Sequence, residues 1–502
     1  MTKYPLLTLL TLIAITSFAQ NSLSGKVVTS LSNKPLIGAT IYLTDLKTGT
    51  NTQEDGSYQL LNVPRGWYLV EVTMLGYAFQ TKIIKIENQV TQDFALEESL
   101  NELQEVIITG TSVATERRKA PTSITKVPSS YLQQNASTNI IEAISKIPGV
   151  AGITDGPGIT KPVIRGLAYN RVVTLNDGIR QEGQQWGDEF GIEVDANSVD
   201  QVEILKGPGS LAYGSDAIAG VINLIPEKPL PEGKFKGNIL QSYQTNNGLI
   251  NTSLHASGTK NGISWSGRLT NIMAHAYQNK NDGYVLNSQF NNFAYDGTIG
   301  VHRQWGYSQV HFSYFQLQTG IVSGERDSTT GKFTQAAFDG TNQFSLIATD
   351  QELHSYTPFL INQNVQHYKA VWDNSFAIGP SRIAAKLAFQ QNSRQEKNDP
   401  TIPNTSTIFY LLNTVNYDVR YIFPEVNHFN ISAGTNGMIQ DSQNKGTLLL
   451  IPEYNLFDLG VFTIASRAIG KFSLSGGIRY DMRLFNGHDN YIDAAGNELP
   501  AS

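Results

Sequence analysis

The sequence predicts a mainly β chain in three stages: a small β-sandwich, then a compact α+β domain, then a partial antiparallel transmembrane β-barrel. Three observations predict it. Short apolar runs recur between turn sequences from Asn21 to about Ser99. Four β-branched runs, separated by Gly- and Asn/Asp-rich turns, lie between Val163 and Leu224. After Pro226 the texture changes: 35 aromatic residues follow Pro231 against 14 before it, and all eight histidines lie there too.

Whole-chain properties narrow the class. A chain of 502 residues suggests about three or four domains. With 16% charged residues and a mean hydropathy of −0.23, it is neither a disordered chain nor a helical membrane protein. A net charge of −6 gives no footprint for nucleic acid. The absence of cysteine excludes disulfides, zinc thiolates and thiol nucleophiles, and fits passage through an oxidising compartment. Residues 1–19 have the make-up of a signal peptide: Lys3 as the positive region, Leu6–Ile15 as an apolar core too short to span, and Ser17-Phe18-Ala19 as a cleavage site. A buried N-terminal helix is the alternative. Gln20, not Cys, would then lead the mature chain, which excludes a lipid anchor. No later segment approaches 18 uninterrupted apolar residues, so any membrane span is made of strands.

Residues 20–99 contain five candidate strands, Ser24–Val28, Gly38–Asp45, Ser57–Val63, Trp67–Met74 and Phe79–Ile86. Asn33-Lys34-Pro35, Glu54-Asp55-Gly56 and Pro64-Arg65-Gly66 divide them. The Thr52–Val72 core, with Asp55, Gly56 and Tyr58 in place, resembles the carboxypeptidase-regulatory-like domain. That resemblance implies a spacer or docking module without catalysis.

Residues 100–114 read as an acidic linker around a β-prone run, Glu105, Val106, Ile107, Ile108 and Thr109. An exposed strand with no fold of its own suits β-augmentation by a partner. The alternative is the first edge strand of the next domain. Residues 115–228 hold that domain. Ser137 or Thr138 can cap a helix with Ile140, Ile141, Ile144 and Ile147 on one face, ended by Pro148-Gly149. Four pieces, Ile164-Arg165-Gly166, Arg171–Gly178, Val202–Pro208 and Tyr213–Leu224, resemble in order the plug domain of TonB-dependent outer-membrane receptors. The resemblance implies that Glu105–Thr109 is the TonB box and that Gln184–Phe190 is an apical loop facing an external cavity. Gln184, Gln185, Trp186, Asp188 and Glu189 can stack on and hydrogen-bond to a polar or cationic chelate; their other reading is to hold the plug against the wall. Loops Asp155–Lys161 and Gly166–Asn170 are lesser candidates. Arg165 and Glu203 are expected as buried charges between plug and barrel.

Residues 229–502 alternate with the period of barrel strands. Ile263, Trp265, Gly267 and Leu269 alternate with Ser264, Ser266, Arg268 and Thr270; Ile383–Gln390 and Val415–Tyr421 behave alike. Short connections near Gly258–Gly262, Gln304–Gly306, Gly379–Ser381, Pro424–Asn427 and Ala468–Lys471 separate longer ones at Tyr277–Asn292, Thr319–Asn364, Ser393–Thr407 and Ile439–Pro452. They imply about eleven strands, half of the roughly 22 of plugged transporters, so the sequence reads as the N-terminal half of a barrel and as C-terminally truncated.

No catalytic pattern is present. Gly207 and Gly209 precede no phosphate-binding Lys-Ser/Thr, there is no HExxH or GxSxG, and no ligand-spaced His pair. The chain is therefore read as a non-enzyme with neither cofactor nor metal site. Loop His354 and His488 could meet ligand, whereas His255, His311 and His367 fall on strands. Together with the resemblance, these readings imply energised import across the outer membrane of a Gram-negative bacterium, the N-terminal domain standing in the periplasm. The partners are TonB, the lipid bilayer and an extracellular small ligand. A ferric siderophore or other metal chelate is favoured over a glycan, haem or cobalamin. A passive porin, an adhesin or a non-functional fragment are the rivals.

Overall fold

The computed structural model describes residues 21–99, 106–109, 115–116, 123–135, 137–183, 187–188, 190–207, 210–359, 361–427, 429–469, 472–488, 491–492 and 498–499. The expected signal peptide, residues 1–19, lies outside the described residues.

Alternation folds the N-terminal stretch into two facing four-stranded sheets. Ser22–Thr29 pairs antiparallel with Ser57–Leu61 and parallel with Gln89–Thr91 and Phe94–Leu96. The second sheet runs Thr48–Asn51, Thr40–Leu43, Gly66–Thr73, Gln80–Ile86. Leu23 and Val27 of one sheet meet Ile41, Leu43, Val70 and Val72 of the other in a fully buried core. The expected strand Gly38–Asp45 is cut short. Thr44–Leu46 forms a 3-10 turn and Lys47 takes a left-handed conformation at φ 50°, so the chain doubles back as Thr48–Asn51. That turn proves important below. At the Glu54-Asp55-Gly56 turn, Asp55 accepts from the Ser57 amide and hydroxyl, the local bond that makes such sequences turn.

The α+β domain is a five-stranded sheet in the order Ile124–Pro128, Val199–Lys206, Gly220–Pro226, Val172–Asn176, Ile179–Arg180. Val163 and Ile164 belong instead to a separate hairpin, Val150–Thr154 with Thr160–Ile164. The helix spans Ile140–Ile144, and its cap is Asn139 rather than Ser137 or Thr138: Asn139 Oδ1 accepts from the Glu142 amide at 3.0 Å. Thr138 donates to the Glu142 carboxylate through its amide and hydroxyl. Ile140, Ile141 and Ile144 close the core against Val202, Ile204, Ile222 and Leu224.

From Phe235 the chain forms one antiparallel sheet of eleven strands in sequence order, from Phe235–Gln244 to Phe472–Gly487. The strands run from 10 to 17 residues. Turns 261–262, 304–305 and 379–380 mark one end; connections 275–289, 321–361, 398–407 and 445–453 mark the other. The sheet is open, since the first and last strands do not pair with each other. The face turned from the α+β domain carries Trp265, Leu269, Ile299, Trp372, Leu387, Phe389 and Val419, all exposed, whereas Ser264, Thr270, Ala388, Gln390, Thr414 and Asn416 are buried on the inner face. Trp305 and Phe376 stack at the short-turn end with ring centroids 5.5 Å apart, like an interfacial aromatic girdle. No helix among the described residues is long and apolar enough to cross a membrane, which says nothing against strands.

Candidate functional site

The run expected to be exposed is largely covered. Val106–Ile107 pairs antiparallel with Thr115–Glu116; Glu105 lies outside the described residues. Ile107 is fully buried beside Ile124, Leu175, Leu205 and Val221, while Val106 packs on Leu69 of the sandwich. Only Ile108 retains substantial exposure, 39%, against 0% for Thr109. The reason is apolarity: burying two β-branched side chains contributes about 1.5–3 kcal/mol each, more than a solvated linker could gain.

Glu203 holds this segment. Its carboxylate accepts from the amides of Ile108 at 3.1 Å and Thr109 at 2.8 Å, and from Gln201 Nε2 at 2.6 Å. Asn223 Nδ2 donates to Thr109 Oγ1 at 3.0 Å, and Lys126 Nζ donates to the Val106 carbonyl at 3.2 Å. Burial, and then the nearby charge of Lys228, bring the Lys126 ammonium down to about 8. Glu203 is thus buried as expected, but its partners are the 106–109 backbone and a plug neighbour, not the barrel. Arg165 departs further: it is exposed, in a left-handed conformation at φ 50°. A charge in that tight turn is carried outward by the backbone.

The sandwich closes the space beneath. Its 3-10 turn reaches the short-turn end of the wall, where Lys47 Nζ lies 2.7 Å from Asp373 Oδ2 and Arg382 Nη2 lies 3.2 Å from Asp45 Oδ1. Lys228 Nζ, on the segment leaving the plug, reaches Glu71 of the sandwich at 2.8 Å. A cavity of about 340 Å³ remains between the three parts, lined among others by Asp45, Lys47, Ile108, Lys126, Glu203 and Lys386.

At the opposite end the apical loop divides. Gln184, Gln185, Trp186 and Glu189 lie outside the described residues. Asp188 is exposed and accepts from the Tyr169 hydroxyl. Phe190 is 2% exposed, packed on Ile408 and Tyr410 of the wall beneath the Arg394 guanidinium at 4.2 Å. Ile159 from the neighbouring loop packs on Leu249, Ile272, Phe290 and Leu317 of the wall.

The charges that do join plug to wall were not singled out in the sequence. Asp177, at a left-handed turn with Gly178, meets Lys369 Nζ at 2.5 Å and His311 Nε2 at 3.2 Å. Glu193 pairs with Arg394, and Asp216 bridges Arg180 at 2.7 Å and Arg483 at 3.0 Å. His367 faces Glu193 at 3.7 Å and His255 faces Glu227 at 3.3 Å, so the strand histidines face inward. Strand alternation was the available signal, since it turns Lys369 and Arg394 toward the lumen. Among the described residues no three His, Asp or Glu gather as a metal site.

Comparison with known proteins defines the class. Residues 116–221 match the TonB-dependent Receptor Plug Domain family, and residues 23–108 match the CarboxypepD_reg-like domain family. The chain is 32% identical over 141 residues to the "Iron-regulated outer membrane virulence protein" of Vibrio cholerae, covering 27% of this chain and 21% of that one. It is 34% identical over 105 residues to "Vitamin B12 transporter BtuB" of Vibrio vulnificus, covering 20% and 17%. In three dimensions it resembles the ferripyoverdine receptor of the outer membrane of Pseudomonas aeruginosa, with a TM-score of 0.56, 16% identity, and 79% of this chain and 57% of that one covered. The "Copper transporter OprC" gives a TM-score of 0.55 at 13% identity, covering 75% and 57%. The matched segments thus span about a fifth of the curated relatives' length. These relatives are receptors and transporters rather than enzymes. Over residues 116–221 the chain is similar to the plug domain of TonB-dependent receptors, and ahead of that stretch it is similar to the CarboxypepD_reg-like domain.

Proposed function

We propose that the chain imports a ligand across the outer membrane, a ferric siderophore or other metal chelate being favoured, with work drawn from the periplasmic partner TonB. One observation carries this reading: the 106–109 segment is docked beneath the plug by few, replaceable bonds. A two-residue ladder, two amides on Glu203, the Asn223 amide on Thr109 and one lysine contact hold it, beside the packing of Val106 and Ile107. A partner that adds the segment to its own sheet replaces those backbone bonds one for one. In this reading residues 20–99 and 100–114 stand in the periplasm, 115–228 are the plug, and 229–502 are the first half of the wall, whose apolar face meets lipid. The iron-regulated relative supports the metal-chelate preference; haem, cobalamin and glycan remain the competing cargoes of the same machine.

The test deletes 105–109 in a strain with no other receptor of this kind. Radio-iron supplied as a panel of ferric siderophores, with cobalamin and haemin alongside, should bind the cells but no longer enter. Entry at the wild-type rate overturns the box assignment.

A further inference from the structure

The long-loop end holds a second cluster that neither plug nor box uses. His275 directly follows the strand Ile263–Ala274, and His354 follows the helical turn Asp350–Leu353. Their ring centroids lie 5.2 Å apart; Tyr284 is 4.7 Å from His354, and Tyr356 is 5.6 Å from His275. Ring packing explains the tyrosines but not the way both imidazoles are held. His275 Nδ1 is 2.9 Å from the Ala276 carbonyl, and His354 Nδ1 is 2.7 Å from the Asp350 carbonyl. A carbonyl can only accept, so each Nδ1 donates, which in the neutral ring leaves the lone pair on Nε2. Metal-binding histidines are oriented in this way.

The frame is rigid. The Ala276 amide donates to the Leu353 carbonyl at 3.2 Å, tying the two segments together. Thr349 and Glu352 form a reciprocal cap on the turn that presents His354. Val285, Leu286 and Phe333 form an apolar cluster on which Tyr277 and Leu353, sequence neighbours of the two segments, pack. A Cβ on Gly248 would collide with Nε2 and Cδ2 of His275 and lie 2.9 Å from Tyr356 Oη; the glycine gives the imidazole edge its place there. Two imidazoles sharing one ion at about 2.0–2.1 Å in tetrahedral geometry place their ring centroids on the order of 5 Å apart, which is the separation seen.

We propose that His275 and His354 form a two-imidazole site for a borderline divalent transition metal ion, of the copper, nickel or zinc kind. The remaining coordination positions stay open to water or to donors of an incoming molecule. The site deepens the import reading, resting on it only for taking this end as the external one.

The test titrates the purified full chain in detergent with Zn²⁺ alone, and with Cu²⁺ followed by electron paramagnetic resonance. The expected result is one saturable site, a copper spectrum with imidazole nitrogen couplings, and no response to Mg²⁺. His275→Ala and His354→Ala should each weaken binding by about tenfold or more and remove nitrogen couplings, while His488→Ala leaves both unchanged. Hydrogen exchange of the wall strands reports that each variant is folded. Absence of binding, or binding indifferent to both substitutions, overturns the site. These titrations need no energised membrane, so loss of the import reading would show in uptake alone and leave them intact.

Discussion

In the sandwich, Leu23, Val27, Ile41 and Val70 point inward into a dry core and the polar residues face out. In the eleven-stranded wall the same alternation is turned inside out. Leu269, Trp372, Leu387 and Phe389 face outward, while Asp373, Lys369, Gln390 and Arg394 face in. The two regions share strand geometry and, in the proposed import reading, differ in what surrounds them. A sheet in water hides apolar side chains from the solvent; a sheet in lipid offers them to it and must satisfy its polar face internally. The plug is what satisfies that face here, through Asp177, Glu193 and Asp216.

Breaking the inner network should have the largest effect. Arg394→Met leaves the Glu193 carboxylate buried without its guanidinium, at a cost of about 3–5 kcal/mol. It should appear as faster hydrogen exchange in the plug strands, with Glu193→Gln in the same chain restoring much of the protection. Unchanged exchange would show that apolar contacts such as Phe190 suffice.

Reversing the outer face comes next. Leu387→Arg should cost about 2–4 kcal/mol in a bilayer and reduce assembly into outer membranes. If the wall tolerated it as a water-facing sheet would, the inversion would be disproved.

The junction of the two regions gives a smaller effect. Arg382→Ala removes two bonds to Asp45, worth about 1.5–3 kcal/mol for a charged partner. Since the chain has no cysteine, Ile108→Cys provides a unique probe of the cavity. The label should react faster when Arg382 is absent, and equal rates would mean the sandwich does not guard the segment.

The smallest effect is one of pH. Lys126 falls from 10.5 to about 8 in the folded chain. Below about 8 both states hold the proton, and the buried charge costs stability. Between about 8 and 10.5 only the unfolded chain holds it, so stability should rise with pH across that window. Urea midpoints measured at both ends should show the rise, and Lys126→Met should abolish it.

Much of this architecture was legible in the residues. Period-two alternation at Ile263–Thr270 and Ile383–Gln390 gave the facing of the wall strands, because a strand's side chains must alternate. Turn sequences located the short connections. The box-like run was visible too, but its cover was not: Glu203 lies about a hundred residues away, and only the fold brings it under the amides of Ile108 and Thr109. Arg165 was misjudged for a related reason, since a left-handed turn residue carries its side chain where the backbone aims it.

By itself the sequence determined which strand faces are apolar and where most of the turns fall. Those properties are local, set by side-chain chemistry and a two-residue repeat. Only the tertiary structure decided which charges meet, that the Asp45–Lys47 turn bolts the sandwich to the wall, and that His275 and His354 stand side by side. Such pairings depend on distances across the fold, and no periodicity along the chain encodes them.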